Sequence, residues 1–255
     1  MTLRYNIMNY VLFGDEIMKT YRIHLIRHAL TQDNLDGVYA GRTDTPLCAE
    51  GTEQLEDAKA KYIYPQADFV FSSPLKRCTQ TAEILYPHLK PIIMDGLTEY
   101  NFGEFEGQTA DVLHEKQPLF DRWIRGEEGV KPPFGESNAD FANRVCTTFE
   151  KMVDGIIKSG TDSVAVVTHG GVIATILSNF GIPEGSVSQW LTPSCCGYTL
   201  LISHFLWMSG KKAEVIKEIP ENPEDGKKGN YYDGWDYYPD DDDFDISEYL
   251  NDFKD

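Results

Sequence analysis

The 255-residue sequence predicts an α/β fold: a three-layer α/β/α sandwich with a mainly parallel central sheet. Three observations carry that expectation. Short apolar runs at 21–27, 68–72 and 163–168 have strand length and end in polar residues. Amphipathic stretches of helical period separate them. The chain contains no internal repeat that would point to a solenoid or propeller.

Taken in order, residues 21–27 (YRIHLIR) read as a buried strand and residues 52–64 as a helix. Residues 68–72 (DFVFS) read as a second strand and 75–85 as a second helix. A longer helix is expected after Ser137, because Ser137 and Asp140 have capping-box spacing. Its residues Phe141, Val145, Phe149, Val153 and Ile157 recur every fourth position and predict one core-facing stripe. The run SVAVVT at 163–168 is the clearest strand, followed by a helix at 170–180 and a strand at 198–205. His24, alternating with Ile23 and Leu25, reads as structural; His88, His114 and His204 have no motif context.

Composition narrows the function classes. No apolar run approaches the about 20 residues needed to span a bilayer, and residues 1–19 make a poor signal peptide. Five scattered cysteines (Cys48, Cys78, Cys146, Cys195, Cys196) fit reduced thiols in the cytoplasm better than a disulfide framework or a zinc site. The adjacent Cys195-Cys196 reads as two small residues entering a strand. A net charge of −18 argues against nucleic acid and anionic membrane as partners. Residues 221–255 alone carry 13 Asp or Glu against 3 Lys, a net of −10. Three segments follow: a leader at 1–19, in which translation could start at Met18; one domain at 20–219; and an acidic, aromatic-rich tail at 220–255.

In parallel sheets ligands bind beyond the carboxyl ends of the strands. Arg27-His28, Ser72-Ser73 and Thr168-His169-Gly170-Gly171 end three of them, and Arg77 and Glu99 follow nearby. Two arginines and two histidines gathered in an acidic protein are hard to explain as core, because charges are rarely buried unpaired. A phosphoryl group explains them. Its oxygens accept guanidinium forks, a histidine nitrogen can attack phosphorus, and a carboxylic acid can protonate the leaving oxygen. Glu99 would need a raised pKa, which burial would supply. Metal chemistry lacks its spacings: there is no HExxH or HxH, and the acidic run at 240–243 lacks the glycine and spaced glutamate of a calcium loop. No Gly-rich nucleotide loop is present either.

The motifs LIRHALTQDN (25–34), GRTDTPLCAEG (41–51), FSSPLKRCTQTAEIL (71–85), LTEYNFGEFEG (97–107), FGES (134–137) with Arg144, and VVTHGG (166–171) arrive in one order over residues 20–205. Together they resemble the histidine phosphatase superfamily, the phosphoglycerate-mutase-like enzymes. The resemblance implies a phosphoglycerate-mutase-like sandwich and a reaction through phosphohistidine, with no metal and no cofactor. It makes His28 the nucleophile, Glu99 the proton donor, and Arg27, Arg77 and His169 phosphate ligands. Thr31 and Asn34 match positions lining the phosphate pocket, and Gly170 and Gly171 would open a helix whose amides face the anion. Residues 100–136 would cover the substrate. Glu104 and Glu106 are nearby alternatives to Glu99, and Arg42 either contacts substrate or pairs with Asp44. One position departs from the pattern: Ala29 stands where the family usually has glycine, which would be costly if φ there were positive.

The resemblance favours a phosphatase acting on a small phosphomonoester, since only 70 positions separate Glu99 from His169, short for a cofactor-dependent mutase. The alternatives are a mutase-type phosphotransferase, or a catalytically weak phosphate-binding protein whose tail recruits a partner. A homodimer stays open. In the covering segment, Phe102, Phe105, Phe120, Trp123, Arg125 and Lys131 suit a metabolite with an apolar part.

Overall fold

The structure, a computed structural model, describes residues 10–13, 16–127 and 129–223; most of the acidic tail and of the leader lie outside them. The element order is β1 (Tyr10–Phe13), β2 (Glu16–Arg27), α1 (Gln32–Leu35), α2 (Ala49–Lys61), β3 (Phe69–Ser72), α3 (Lys76–Leu85), β4 (Ile92–Ile93), α4 (Ala110–Lys116), α5 (Pro118–Ile124), α6 (Asn138–Ser159), β5 (Ser163–Thr168), α7 (Gly170–Phe180), β6 (Gly181–Ile182), β7 (Gly197–Ser203), α8 (His204–Gly210) and β8 (Ala213–Ile219). The sheet runs β4-β3-β5-β2-β7-β8-β6, with β1 paired to the first half of β2. Neighbours are parallel except at β1, antiparallel to β2, and at β7, which lies between β2 and β8 and is antiparallel to both.

Alternation along the central strands builds the two cores. Ile23 and Leu25 of β2 and Val164 and Val166 of β5 join one apolar cluster with α6 and α7. Ile26, Ala165 and Val167 point the other way, against Leu55 and Ala58 of α2 and Cys78, Ala82 and Leu85 of α3. Two cores on opposite faces of one sheet are the three layers that the alternation of elements predicts.

Ser137 caps α6 by accepting the Asp140 amide at 3.1 Å, and Phe141, Val145, Phe149 and Val153 are buried. His24 is structural, its ring nitrogens lying 3.0 Å from the hydroxyls of Thr199 and Ser163.

Several boundaries differ from expectation. The strand expected at 21–27 begins at Glu16, as β2, and β1 pairs with it in register Tyr10↔Lys19, so part of the expected leader extends the strand system. Helix α2 starts three residues early because the Cys48 sulfur accepts the Gly51 amide. The strand expected at 198–205 stops at Ser203, whose hydroxyl caps α8 through the Leu206 amide at 3.2 Å; His204 and Phe205 are helical.

Candidate active site

The ends of β2, β3 and β5 meet as anticipated. Arg27 pairs in register with Thr168, so His28 and His169 leave adjacent strands side by side. Their ring centroids lie 5.2 Å apart in an edge-on arrangement. His28 Nδ1 is 2.7 Å from the Ala29 carbonyl oxygen. A carbonyl only accepts, so Nδ1 carries the proton and Nε2 of the neutral ring carries the lone pair. Burial first, then the charges of Arg77 and Arg27, hold the His28 pKa well below its ordinary value. The ring is therefore an uncharged base at neutral pH.

Ala29 settles its own question. It is not among the non-glycine residues with positive φ, so the position needs a small side chain and not left-handed backbone. Its amide donates to Thr81 Oγ1 at 3.0 Å, and the side chain is wholly buried.

His169 is engaged through both nitrogens. Arg77 Nε donates to Nδ1 at 3.4 Å, which leaves Nε2–H to donate to Ser73 Oγ at 2.8 Å. Burial and the Arg77 charge lower its pKa strongly too. Arg77, 1% exposed, turns its other donors onto backbone: Nη1 to Thr43 O at 2.7 Å, Nη2 to Gly41 O at 2.7 Å and Ala40 O at 3.3 Å. Arg27 Nη1 donates to Thr192 O at 2.7 Å. The guanidinium forks thus keep their positive charge and have carbonyl oxygens, not carboxylates, as these partners.

Glu99 faces the cluster from the opposite side. Its Oε1 accepts the Tyr100 amide at 2.9 Å and its Oε2 the Gly171 amide at 3.1 Å. Burial raises its pKa above the ordinary 4.5, against the pull of those hydrogen bonds and of Arg77 and Arg27. A half-buried carboxyl kept protonated further up the pH scale is suited to donating a proton. The backbone around it is held by Arg144, which donates to the carbonyls of Gly96, Thr98 and Glu99 and, at 2.7 Å, to Glu136. Glu136 Oε1 also accepts the Asn101 amide at 2.8 Å.

Other expected residues are placed differently. Thr31 and Asn34 close a capping box on α1, the Thr31 amide donating to Asn34 Oδ1 at 3.1 Å and the Asn34 amide to Thr31 Oγ1 at 3.4 Å, so they shape the turn after His28. Gly170 opens α7 beside Arg27, but the Gly171 amide serves Glu99, not an incoming anion. Arg42 lies 3.9 Å from Glu136, and Asp44 instead pairs with Lys76. Phe102, Phe105, Phe120 and Trp123 are buried among one another and Tyr39, not turned to a ligand, and Arg125 pairs with Glu127. Sequence reasoning missed Thr81, Thr192, Ser73 as the His169 partner, and the anchoring roles of Glu106 and Glu136. Only Ser73, at a strand end, carried a signal.

Comparison with known proteins identifies the family. The family model for the histidine phosphatase superfamily (branch 1) matches residues 23–221. The adenosylcobalamin/alpha-ribazole phosphatase of Escherichia coli K12 is 30% identical over 180 residues, covering 69% of this chain and 87% of that protein. A probable phosphoglycerate mutase, GpmB, of E. coli O1:K1 / APEC is 28% identical over 203 residues, 78% of this chain and 93% of the relative. Among solved structures, the alpha-ribazole phosphatase from Shigella flexneri superposes with a TM-score of 0.65 at 27% identity, covering 76% of this chain and 94% of that one. The chain is therefore a member of the histidine phosphatase superfamily, a phosphatase- or mutase-type enzyme with a phosphoglycerate-mutase-like fold.

Proposed function

We propose that this protein is a metal-independent phosphomonoester hydrolase that acts on a small phosphorylated metabolite through a phosphohistidine at His28. The observation that carries the reading is the hydrogen bond from His28 Nδ1 to Ala29 O, which leaves Nε2 as a neutral, buried nucleophile between Arg27 and Arg77.

In the first step Nε2 attacks phosphorus, the bond to the ester oxygen breaks, and the Glu99 proton goes to the leaving alkoxide. In the second, the Glu99 carboxylate takes a proton from water, which attacks phosphorus and breaks the P–N bond. Arg27, Arg77 and His169 stabilise the phosphoryl oxygens throughout, a task that needs alignment and positive charge. Arg42 and Gly170 belong to the same phosphate-facing surface in this reading. A cytoplasmic location goes with five unpaired cysteines.

Phosphate release from p-nitrophenyl phosphate, sugar phosphates, 3-phosphoglycerate and α-ribazole 5′-phosphate, measured in EDTA with wild type and His28→Ala, tests the proposal. Turnover that persists in EDTA and vanishes in the variant is expected. Isomerisation of 3-phosphoglycerate without phosphate release would replace this reading by a mutase.

A further inference from the structure

Glu106 sits in the segment expected to cover the substrate, yet its carboxylate reaches back to the 40–43 loop. Oε1 accepts the Arg42 amide at 2.7 Å, Oε2 accepts the Thr43 amide at 2.8 Å, and the Thr43 hydroxyl donates to Oε2 as well. The loop it grips is the one that holds Arg77, through the carbonyls of Thr43, Gly41 and Ala40.

The chemistry of this relay is specific. A carboxylate bonded directly to Arg77 would neutralise the charge that an incoming anion must find. Carbonyl oxygens satisfy the buried donors without doing so. The rigidity that a direct ion pair would have given must come from whatever fixes those carbonyls, and Glu106 holds the loop by the amides of Arg42 and Thr43. The fit is close: a Cβ on Gly41 would fall 2.0 Å from Tyr100 O and 2.6 Å from Glu106 Oε1, so only glycine lets the loop and the segment meet.

We propose that Glu106 is a positioning residue. It fixes the 40–43 loop and, through it, the orientation of Arg77, so that the covering segment and the buried cation act as one unit. The inference rests on the reading of Arg77 as a phosphate ligand.

The test is calorimetric titration of inorganic phosphate into the full chain, for wild type, Glu106→Gln, Arg77→Gln and the double variant, with circular dichroism confirming the fold of each. Glu106→Gln is expected to weaken phosphate binding about tenfold, the scale of hydrogen bonds to a charged group. In the Arg77→Gln background the same change should cost less than about twofold, because the two side chains act through one another. The fall of kcat/KM at alkaline pH that is expected when Glu99, as proton donor, deprotonates should stay in place. Phosphate affinity of Glu106→Gln within about twofold of wild type, an equal loss in both backgrounds, or disappearance of the alkaline fall would each overturn the proposal. So would a wild type that does not bind phosphate. Should Glu106→Gln fail to fold, Thr43→Val removes one donor and spares the carboxylate. About threefold weaker binding is then expected, and unchanged binding refutes the idea. Phosphate binding needs no turnover, so a wild type that binds phosphate through Arg77 but hydrolyses nothing sinks the hydrolase reading and leaves this one standing.

Discussion

Glu99 is seated on the backbone of Gly171: its Oε2 accepts the Gly171 amide at 3.1 Å, and a Cβ on Gly171 would come within 2.6 Å of its Oε1. The second glycine after His169 therefore serves the carboxyl rather than the helix. Gly171→Ala forces Glu99 to move, and a displacement of that size costs on the order of a hundredfold in turnover when the group is a proton donor. Steady-state kinetics on an alkyl phosphomonoester such as a sugar phosphate, whose leaving group needs the proton, with phosphate affinity measured alongside, checks it: kcat should fall while phosphate binding holds. Equal losses in both would show that Gly171 belongs to the anion site after all.

The rate should be bell-shaped in pH. His28 attacks only when neutral; its lowered pKa moves the acid fall of kcat/KM below 6.5. Glu99 donates only when protonated; its raised pKa moves the alkaline fall above 4.5. Glu99→Gln should remove the alkaline fall and lower the rate by a factor of about 10² to 10⁴ on substrates with poor leaving groups, the usual worth of a general acid. Substrates with good leaving groups, such as p-nitrophenyl phosphate, should lose much less. A profile unchanged in Glu99→Gln would assign the proton donor elsewhere.

Arg144 ties α6 to the strand of backbone that carries Glu99, through three carbonyls and Glu136. Arg144→Met leaves those acceptors and a partly buried carboxylate without their donor. A loss of about 2 kcal/mol in stability is expected, together with a shift of the alkaline fall as Glu99 loses its fixed surroundings. Urea unfolding and the pH profile measure the two; an unshifted profile in a destabilised variant would mean that Arg144 serves the fold alone.

Acid should destabilise the protein through its buried histidines. Burial holds His24 at about 4 when folded, against 6.5 in the open chain. Between those values the unfolded chain binds a proton that the native state refuses, so stability is greatest above 6.5 and falls as pH drops toward 4. The share of His24 is on the order of 3 kcal/mol. His28 and His169 act in the same direction. Denaturant midpoints of wild type and His24→Gln at neutral and mildly acidic pH should converge as pH falls; parallel losses would remove His24 from the account.

The site was legible in the sequence where it lies at strand ends. Arg27, His28 and His169 follow apolar runs whose register the sheet then fixes, and α6 announces itself by a capping serine and a four-residue stripe. What stayed hidden depends on contacts between distant residues. Glu106 and Glu136 sit in segments without periodicity and differ from Glu104 only in what the fold brings to them. Cys48 starts a helix with a sulfur cap that the expected boundary did not weigh. Strand β8 alternates weakly and is recruited by β7, and the aromatic residues at 102–123 gave no sign of whether they faced a ligand or one another. Ala29 looked like a defect because the motif alone does not tell smallness from left-handed backbone; the structure does.

Those aromatic residues face one another, and this has a consequence for how such an enzyme could be retuned. Tyr39 and, from the 100–136 segment, Tyr100, Phe102, Phe105, Phe120 and Trp123 form a keystone of interlocked rings. Swapping any of them would trade away rigidity and change side chains that are buried or, at Tyr39, partly buried. The side chain free to vary stands at the edge, where Phe134 is 85% exposed. Libraries aimed at new phosphomonoesters belong at that edge, with the ring keystone left intact.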